Sequence, residues 1–433
     1  MIDKILTLTE RWDFKKKIMA MFSILFCACI AGYMLLVAVY CIPTGGRMQR
    51  HMRNSAQVFK TEGTYPKLMA EGSGLDNFTD ALMLLSAGHK KENGVFKDAI
   101  NVRHVSIPKM DPAKTLVAVY QGKPQKIGAW SYGRYWHGYL TYLKPLLWLT
   151  DYQHIRSVLM FSQIGLFTLL LWKLFKQKPI FIIPATMSWL FLNPATTFMQ
   201  LQYASMTTLM FLGMLGVLYL QKCKMTGYLW SVYFMLIGIC ASYFDLLTFP
   251  SITLGVPLLL WYCFDYGRYD LKNLMKQIVA MSASWTFGYG GFWASKWILG
   301  TLITGTNWIR NAMGAVANRS SGMWGKTDAS FLRVVRLKFA SVDSIFYIAL
   351  AVLVIAIIWF CYKHYRKINM CHVVPLLFIG LYPLIWYLAL RNHSLHGFTH
   401  RTLVTLPCAI LTYWIIVFGE KENEEDSSTD SML

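Results

Sequence analysis

The chain has 433 residues, of which 55% are hydrophobic and 15% aromatic, and it carries a formal net charge of +20. The apolar residues lie in runs of about 17–25, the length that crosses a bilayer core of about 30 Å, so an ordinary soluble domain is excluded. Lys and Arg residues cluster beside these runs, and no nucleic-acid-binding motif is present. The positive charge therefore indicates a lipid bilayer as partner and no nucleic acid.

These runs predict an all-α, polytopic membrane protein with about ten transmembrane helices. Prolines interrupt the third, fifth and sixth runs, at or near Pro184, Pro194, Pro250 and Pro257. Such breaks are tolerated where protein or a wet cavity covers the freed backbone groups. The predicted spans, in chain order, are 18–42, 155–172, 179–196, 204–221, 227–249, 250–265, 278–303, 345–361, 372–390 and 402–418.

The polar segments between the spans predict the organisation of the chain. Lys and Arg residues of the short loops fall on one side of the membrane, which is therefore cytoplasmic. Both termini are then cytoplasmic, in a multi-pass protein of the cell membrane. In chain order, the predicted parts are a cytoplasmic N-terminus at 1–17, the first span at 18–42, an extracytoplasmic loop domain at 43–154 with amphipathic helices, a helix bundle at 155–418 with outer loops near 304–344 and 391–401, and an acidic cytoplasmic tail at 419–433.

Two carboxylates, Asp76 and Asp80, lie four residues apart near the start of the loop domain. This spacing puts both on one face of a predicted helix that ends near Gly88. One of them can act as a general base that removes a proton from an attacking hydroxyl. A structural role is equally compatible with the sequence, because Ser73 and Asp76 fit a capping box and acids stabilise a helix N-terminus.

The two later outer loops are strongly basic. Residues 304–341 hold six Lys or Arg residues against Asp328, a local charge of +5, and residues 391–401 add Arg391, Arg401 and three histidines without an acid. Such a surface favours an anion, and phosphate is the natural candidate. For the histidines, anion binding or protonation of a leaving group is favoured over zinc, because no carboxylate or cysteine completes a metal site.

An aromatic, amphipathic stretch precedes the second span; it runs from Arg134 to Tyr139, contains His137, and continues through Tyr142, Lys144 and Pro145. It predicts an interfacial helix with Tyr and Trp side chains at the level of the lipid headgroups. Arg134 and His137 would then face a lipid-linked substrate.

Two ionisable residues lie near the outer ends of predicted spans, Asp245 in the fifth and Lys296 in the seventh. Charged groups inside spans face protein or water. Either the two form an ion pair with each other, or Lys296 meets a phosphate at the outer headgroup level.

The layout resembles that of membrane glycosyltransferases of the GT-C fold. The likeness rests on a short N-terminus, one span and a large outer loop that begins with an acidic residue, together with four segments. That class usually has two adjacent acidic residues. Here the two acids are Asp76 and Asp80, which are separated by three residues. The four segments are 76–80, 134–139, 244–250 and 392–401.

The resemblance implies an inverting transfer of a sugar from a polyprenyl-phosphate donor to a glycan or other acceptor at the outer membrane face. It implies no metal ligand and no defined cofactor, and it leaves a divalent cation open. The alternatives are a transporter or flippase of lipid-linked glycans and a scaffolding protein. The implied site residues are Asp76 as base with Asp80 second, Lys296, His393, His396 and Arg401 at the phosphate, and Arg134, His137 and Asp245 in substrate binding.

Overall fold

The computed structural model describes residues 9, 11–68, 74–122, 126–225, 227–342, 346–348, 351, 355, 359 and 370–416. Over these residues the chain is mostly helical, with two small two-stranded antiparallel sheets. The prediction of an all-α fold is therefore confirmed. The predicted tail at 419–433, residues 1–8 and most of the predicted span at 345–361 lie outside the described residues.

The first half of the chain holds one long apolar helix, a domain of short elements and a second long helix. The bounds are α1 Phe14–Tyr40, α2 Arg47–Glu62, α3 Asn77–Gly88, α4 Val95–Ile100, β1 Arg103–Ser106, α5 Pro112–Gln121, β2 Gly128–Ser131, α6 Leu140–Leu149 and α7 Tyr152–Gln177. The strands β1 and β2 pair antiparallel, with Arg103 opposite Ser131 and Ser106 opposite Gly128.

The second half is a helix bundle with a small hairpin and two 3₁₀ segments, His393–Leu395 and Gly397–Val404. The bounds are α8 Ile182–Phe191, α9 Pro194–Thr197, α10 Leu201–Lys222, α11 Tyr228–Phe244, α12 Ile252–Asp265, α13 Leu271–Thr304, α14 Trp308–Ser320, β3 Met323–Trp324, β4 Thr327–Asp328, α15 Phe331–Ala340, α16 Met370–Gly380, α17 Tyr382–Ala389 and α18 405–416.

Four helical segments of the described chain are long and apolar enough to cross a membrane: α1, α7, α10 and His372–Ala389. Three shorter apolar helices accompany them, Pro179–Phe191, Tyr228–Phe244 and Ile252–Asp265. These helices indicate a bilayer environment. The number of ten spans stays a prediction.

The prolines of the helix bundle lie at positions that tolerate a missing backbone N–H group. Pro194 occupies the first turn of α9, where its missing N–H is not needed, and Pro250 directly precedes the turn that leads into α12. Pro257 lies inside α12, a helix that is buried over most of its length. The freed backbone group is thus covered by protein, as the sequence predicts.

The loop domain, residues 43–149, is docked on the membrane helices through one shared apolar core that also includes residues of α1, α11 and α13. Trp136 stacks on Phe292 with ring centres 4.7 Å apart and donates its indole N–H to the Phe292 carbonyl. The Gly138 N–H donates to the Tyr243 carbonyl at 2.8 Å. A Cβ on Gly138 would lie 2.4 Å from the Tyr243 ring, so only glycine permits this approach.

The first part of the aromatic stretch, Arg134 to Tyr139, is irregular and not helical; a helix forms only over its continuation, as α6 from Leu140. His137 adopts φ +56°, which interrupts helical geometry. Trp136 and Tyr139 are fully buried instead of lying at the headgroups. The aromatic residues of this stretch serve the contact between domain and bundle, which a one-dimensional pattern cannot distinguish from an interfacial belt.

Candidate functional site

A cavity of about 640 Å³ lies where the loop domain, the start of α10 and the segment after α17 meet. Its walls combine charged groups with aromatic rings. The lining residues are Tyr65, Lys67, Gly74, Leu75, Asp76, Phe78, Thr79, Tyr203, Trp324, Ser341, His396, Gly397, Phe398, His400 and Arg401.

Asp76 is the N-cap of α3 and lines this cavity. Its Oδ1 accepts the Thr79 N–H at 3.1 Å, and its Oδ2 accepts the Thr79 hydroxyl at 3.1 Å and the Gln202 amide at 2.8 Å. A carboxylate has about four lone-pair positions. One position on Oδ1 is therefore left for a hydroxyl that enters the cavity, so the capping role and a role as base are compatible.

Asp80, the second candidate base, is completely buried and is not part of the cavity wall. It accepts hydrogen bonds from the Tyr152 hydroxyl and from the backbone N–H groups of Leu201 and Gln202, at 3.1 and 3.2 Å. Burial raises the pKa of its carboxyl to about 6, although these bonds and Arg156 oppose the shift. Asp80 holds the start of α10 against α3 and lies outside the cavity wall.

A partly buried ion pair between Arg156 and Glu62 contacts α3. Arg156 donates to both carboxylate oxygens of Glu62, at 2.6 and 3.0 Å, and to the Asn77 side-chain oxygen at 2.8 Å. Because Asn77 follows Asp76 directly, this clamp between α2, α3 and α7 fixes the position of the cavity carboxylate.

Arg401 places a cationic group in the wall of the cavity. Its guanidinium donates to the Thr196 hydroxyl at 3.0 Å and lies 4.3 Å from the centre of the Tyr203 ring. Burial lowers its pKa, and the neighbouring Tyr203 and Asp76 oppose that change. The structure thus brings Arg401 and Asp76, which are far apart in sequence, to one cavity.

His393 is buried, His396 and His400 are partly buried, and the pKa values of all three lie below the ordinary range. Burial, aided by nearby cations, lowers the pKa of His393 to about 3, of His396 to about 4 and of His400 to about 3. His396 and His400 line the cavity. In this state they exchange hydrogen bonds but do not supply a proton or a positive charge near neutral pH.

His393 and Arg134 border a second cavity of about 320 Å³, which shares Trp324 and His396 with the first. His393 donates its Nε2–H to the Leu247 carbonyl. Arg134 lies with its guanidinium 4.9 Å from the centre of the Tyr132 ring. Both are therefore neighbours of the first cavity and not part of its wall.

His137 and Asp245 have structural partners. The His137 ring contacts the Tyr132 carbonyl at 2.9 Å and the Tyr139 hydroxyl at 3.2 Å. Asp245 caps the turn after α11 by accepting the Thr248 N–H and hydroxyl. Neither residue belongs to the walls of these two cavities.

Lys296 is completely buried, donates to the Ile100 carbonyl, and lies 5.4 Å from the centre of the Trp136 ring. It joins α13 to the end of α4. The structure does not pair it with Asp245, which bonds to Thr248 and Tyr289, and does not bring it to the cavity that holds Asp76.

Among the described residues, no group of three or more His, Cys, Asp or Glu side chains is arranged to hold a metal ion. The His396 ring packs against the rings of Trp324 and Phe398, at ring-centre distances of 4.4 and 5.3 Å.

Sequence reasoning missed several residues that build the site. Lys67, Tyr203 and Trp324 line the cavity, and Gln202 holds Asp76 from a helix 126 positions later in the chain. Its position, two residues before the predicted span 204–221, is a usable signal for Gln202. The other three carry no local pattern that separates them from ordinary surface residues.

Comparisons of the chain with protein-family models, with curated proteins and with solved structures find no match. The function is therefore inferred from the geometry of the site and from the chemistry of its residues.

Proposed function

We propose that the protein is a membrane glycosyltransferase that moves a sugar from a polyprenyl-phosphate donor to an acceptor hydroxyl, with inversion at the anomeric carbon. The observation that carries the proposal is one cavity, at the ends of apolar helices, that contains a carboxylate with a free lone pair and a buried guanidinium. Asp76 and Arg401 supply these two groups.

In the proposed reaction, Asp76 accepts the proton of the acceptor hydroxyl while the oxygen of that hydroxyl forms a bond to the anomeric carbon. The bond between this carbon and the phosphate oxygen breaks, and its electron pair leaves with the phosphate. Attack and departure occur on opposite faces of the sugar, so a single base suffices and the configuration inverts.

The charge that develops on the departing phosphate needs a cation in a water-poor place. Arg401 meets this need, and Lys67 is the second cation on the cavity wall. The neutral histidines act as hydrogen-bond partners. The aromatic side chains Tyr65, Phe78 and Phe398 offer apolar surface to the first isoprene units of the donor.

Asp76→Asn tests the proposal directly. Asparagine keeps the cap of α3 but cannot take up a proton, so we expect transfer to fall by about 10²–10⁴-fold with unchanged thermal stability. The assay measures transfer of radiolabelled sugar from polyprenyl-phosphate sugars to an extracted acceptor by the purified protein in nanodiscs.

The matched control is Asp111→Asn, which makes the same change at the N-cap of α5, outside the cavity. This variant should keep wild-type transfer. Full activity of the Asp76→Asn protein would refute the role of Asp76. A wild-type protein that moves lipid-linked sugar across vesicle bilayers without any transfer would support the transporter alternative.

A further inference from the structure

The second cavity, of about 320 Å³, has two arginines in its wall, and the proposed reaction leaves it unused. Arg134 and Arg319 face it from two different elements, the turn before α6 and the last turn of α14. Asn392, His393 and His396 complete its polar walls. No Asp or Glu belongs to this lining.

The two arginines have no carboxylate partner in the described part of the chain. The ion pairs there are formed by Arg103, Lys114, Arg156, Arg268 and two histidines. Arg319 instead lies 5.5 Å from the centre of the Tyr135 ring, and the Nε of Arg134 is buried without a hydrogen-bond partner. The nearby acid Asp245 is bonded to Thr248 and Tyr289.

Two uncompensated guanidinium groups around one small space favour a bound oxoanion, because arginine forms paired hydrogen bonds to carboxylate and phosphate. A buried unpaired donor is costly unless a ligand satisfies it. The neighbouring histidines are neutral, so the positive charge of the cavity comes from Arg134 and Arg319.

The wall of this cavity also indicates what carries the oxoanion. A prenyl phosphate has hydrocarbon directly beyond its phosphate and needs an apolar wall, which the first cavity has and the second lacks. Amide, imidazole and guanidinium groups suit a ligand rich in hydroxyls. Trp324 and His396 border both cavities, so a ligand in the second lies next to the cavity that Asp76 lines.

We propose that the second cavity binds the phosphate or carboxylate group of an acidic saccharide, which makes the acceptor of the transfer an anionic glycan. The assignment to the acceptor rests on the proposed glycosyltransferase function. The binding itself requires neither Asp76 nor a donor, so it is measured separately from transfer.

The test uses the purified full chain in lipid nanodiscs and four probes: glucose 6-phosphate, glucuronate, glucose and a polyprenyl phosphate. Calorimetry should show saturable binding of glucose 6-phosphate or glucuronate, with glucose at least about tenfold weaker. Arg319→Gln should weaken the binding of the acidic sugar by about tenfold or more. Asp76→Asn should bind it like the wild type.

Two further variants make the result decisive. Arg310→Gln makes the same change on α14 at an exposed position outside the cavity and should leave the affinity unchanged. Ala315→Glu puts a carboxylate on the cavity wall, four residues before Arg319 on the same helix, and should compete with the anion without removing either arginine.

The proposal is overturned if neither acidic sugar binds, if glucose binds equally well, or if Arg319→Gln and Arg310→Gln behave alike. It is also overturned if only the polyprenyl phosphate binds and Arg319→Gln abolishes that binding, because the cavity would then be a site for the lipid headgroup. Normal binding of acidic sugar together with transfer that does not depend on Asp76 would contradict the proposed function and leave the binding site standing.

Discussion

Asp80 shows how a single buried carboxyl makes stability depend on pH. Burial raises its pKa from the ordinary 3.8 to about 6, so the folded protein holds this proton more tightly than the unfolded chain. The stability that Asp80 contributes is therefore complete below the unfolded pKa and is lost as the pH rises through about 6.

Asp80→Asn should remove this dependence, because asparagine does not titrate. Between about pH 4 and pH 7 the free energy of unfolding of the wild type, relative to the variant, should fall by about 2 kcal/mol. Chemical unfolding in detergent, followed by tryptophan fluorescence, measures the difference. Asp111→Asn should keep the wild-type slope, and an identical slope in Asp80→Asn would contradict the burial argument.

At the residue scale, the spacing and capping residues of the sequence predict the helix α3, but they do not predict which distant residues contact it. The helix and its acidic start follow from spacing and capping within about one turn. The choice between Asp76 and Asp80 as the residue facing the cavity depends on Tyr152, Leu201 and Gln202, which approach from distant parts of the chain. Because these partners have no fixed spacing from Asp76 and Asp80 in the sequence, the sequence does not show which of the two acids faces the cavity.

Among the elements, α13 and α4 are joined by one buried cation. The carbonyl of Ile100 ends α4, where helices leave carbonyl groups without an intrahelical partner. Lys296 of α13 donates to it and packs against Trp136. This contact connects the loop domain to α13, whereas the sequence predicted that Lys296 meets a phosphate.

Lys296→Met should therefore destabilise the protein without changing its affinity for donor. The methionine keeps the apolar stem but leaves the Ile100 carbonyl unpaired, at a cost of about 1–3 kcal/mol. Hydrogen exchange should become faster in 95–106, while KM for the donor stays at its wild-type value. A raised KM with normal stability would favour the phosphate role.

Lys276→Met is the matched control for that experiment. It makes the same substitution on α13 at an exposed position. Its effect on the free energy of unfolding should stay within about 0.5 kcal/mol, as for most surface changes.

The turn at 134–139 shows why an element can be misread. Its density of Tyr and Trp predicts a membrane-surface helix, yet the same residues fill the contact with α11 and α13. The difference arises from Gly138 and the positive φ of His137, which fit the chain against Tyr243. Tertiary packing overrides aromatic composition here.

At the scale of the whole molecule, the two ends of α13 lie on opposite sides of the structure. The C-terminal half of α13 meets the loop domain through Lys296, and the helix runs 34 residues, or about 50 Å. Its start therefore lies far from the loop domain, beyond the thickness of a bilayer core. Orientation relative to the cell remains a prediction from the Lys and Arg distribution.

Cysteine labelling tests this arrangement. In a background with the native cysteines replaced by serine, Lys60→Cys in α2 should react with a membrane-impermeant thiol reagent in intact cells. Lys272→Cys at the start of α13 should react only after the membrane is opened. Both positions are exposed. The reverse pattern would invert the predicted orientation, and labelling of both in intact cells would contradict a membrane-spanning α13.

The hydrogen bonds of Asp80 can be completed only late in the synthesis of the chain. It accepts the backbone N–H groups of Leu201 and Gln202, which the ribosome adds more than a hundred residues later. Until α10 is made and inserted, the buried acid lacks two of its donors. In a nascent chain that stops after α7, the loop domain would consequently lack these two bonds, which form only when α10 is present.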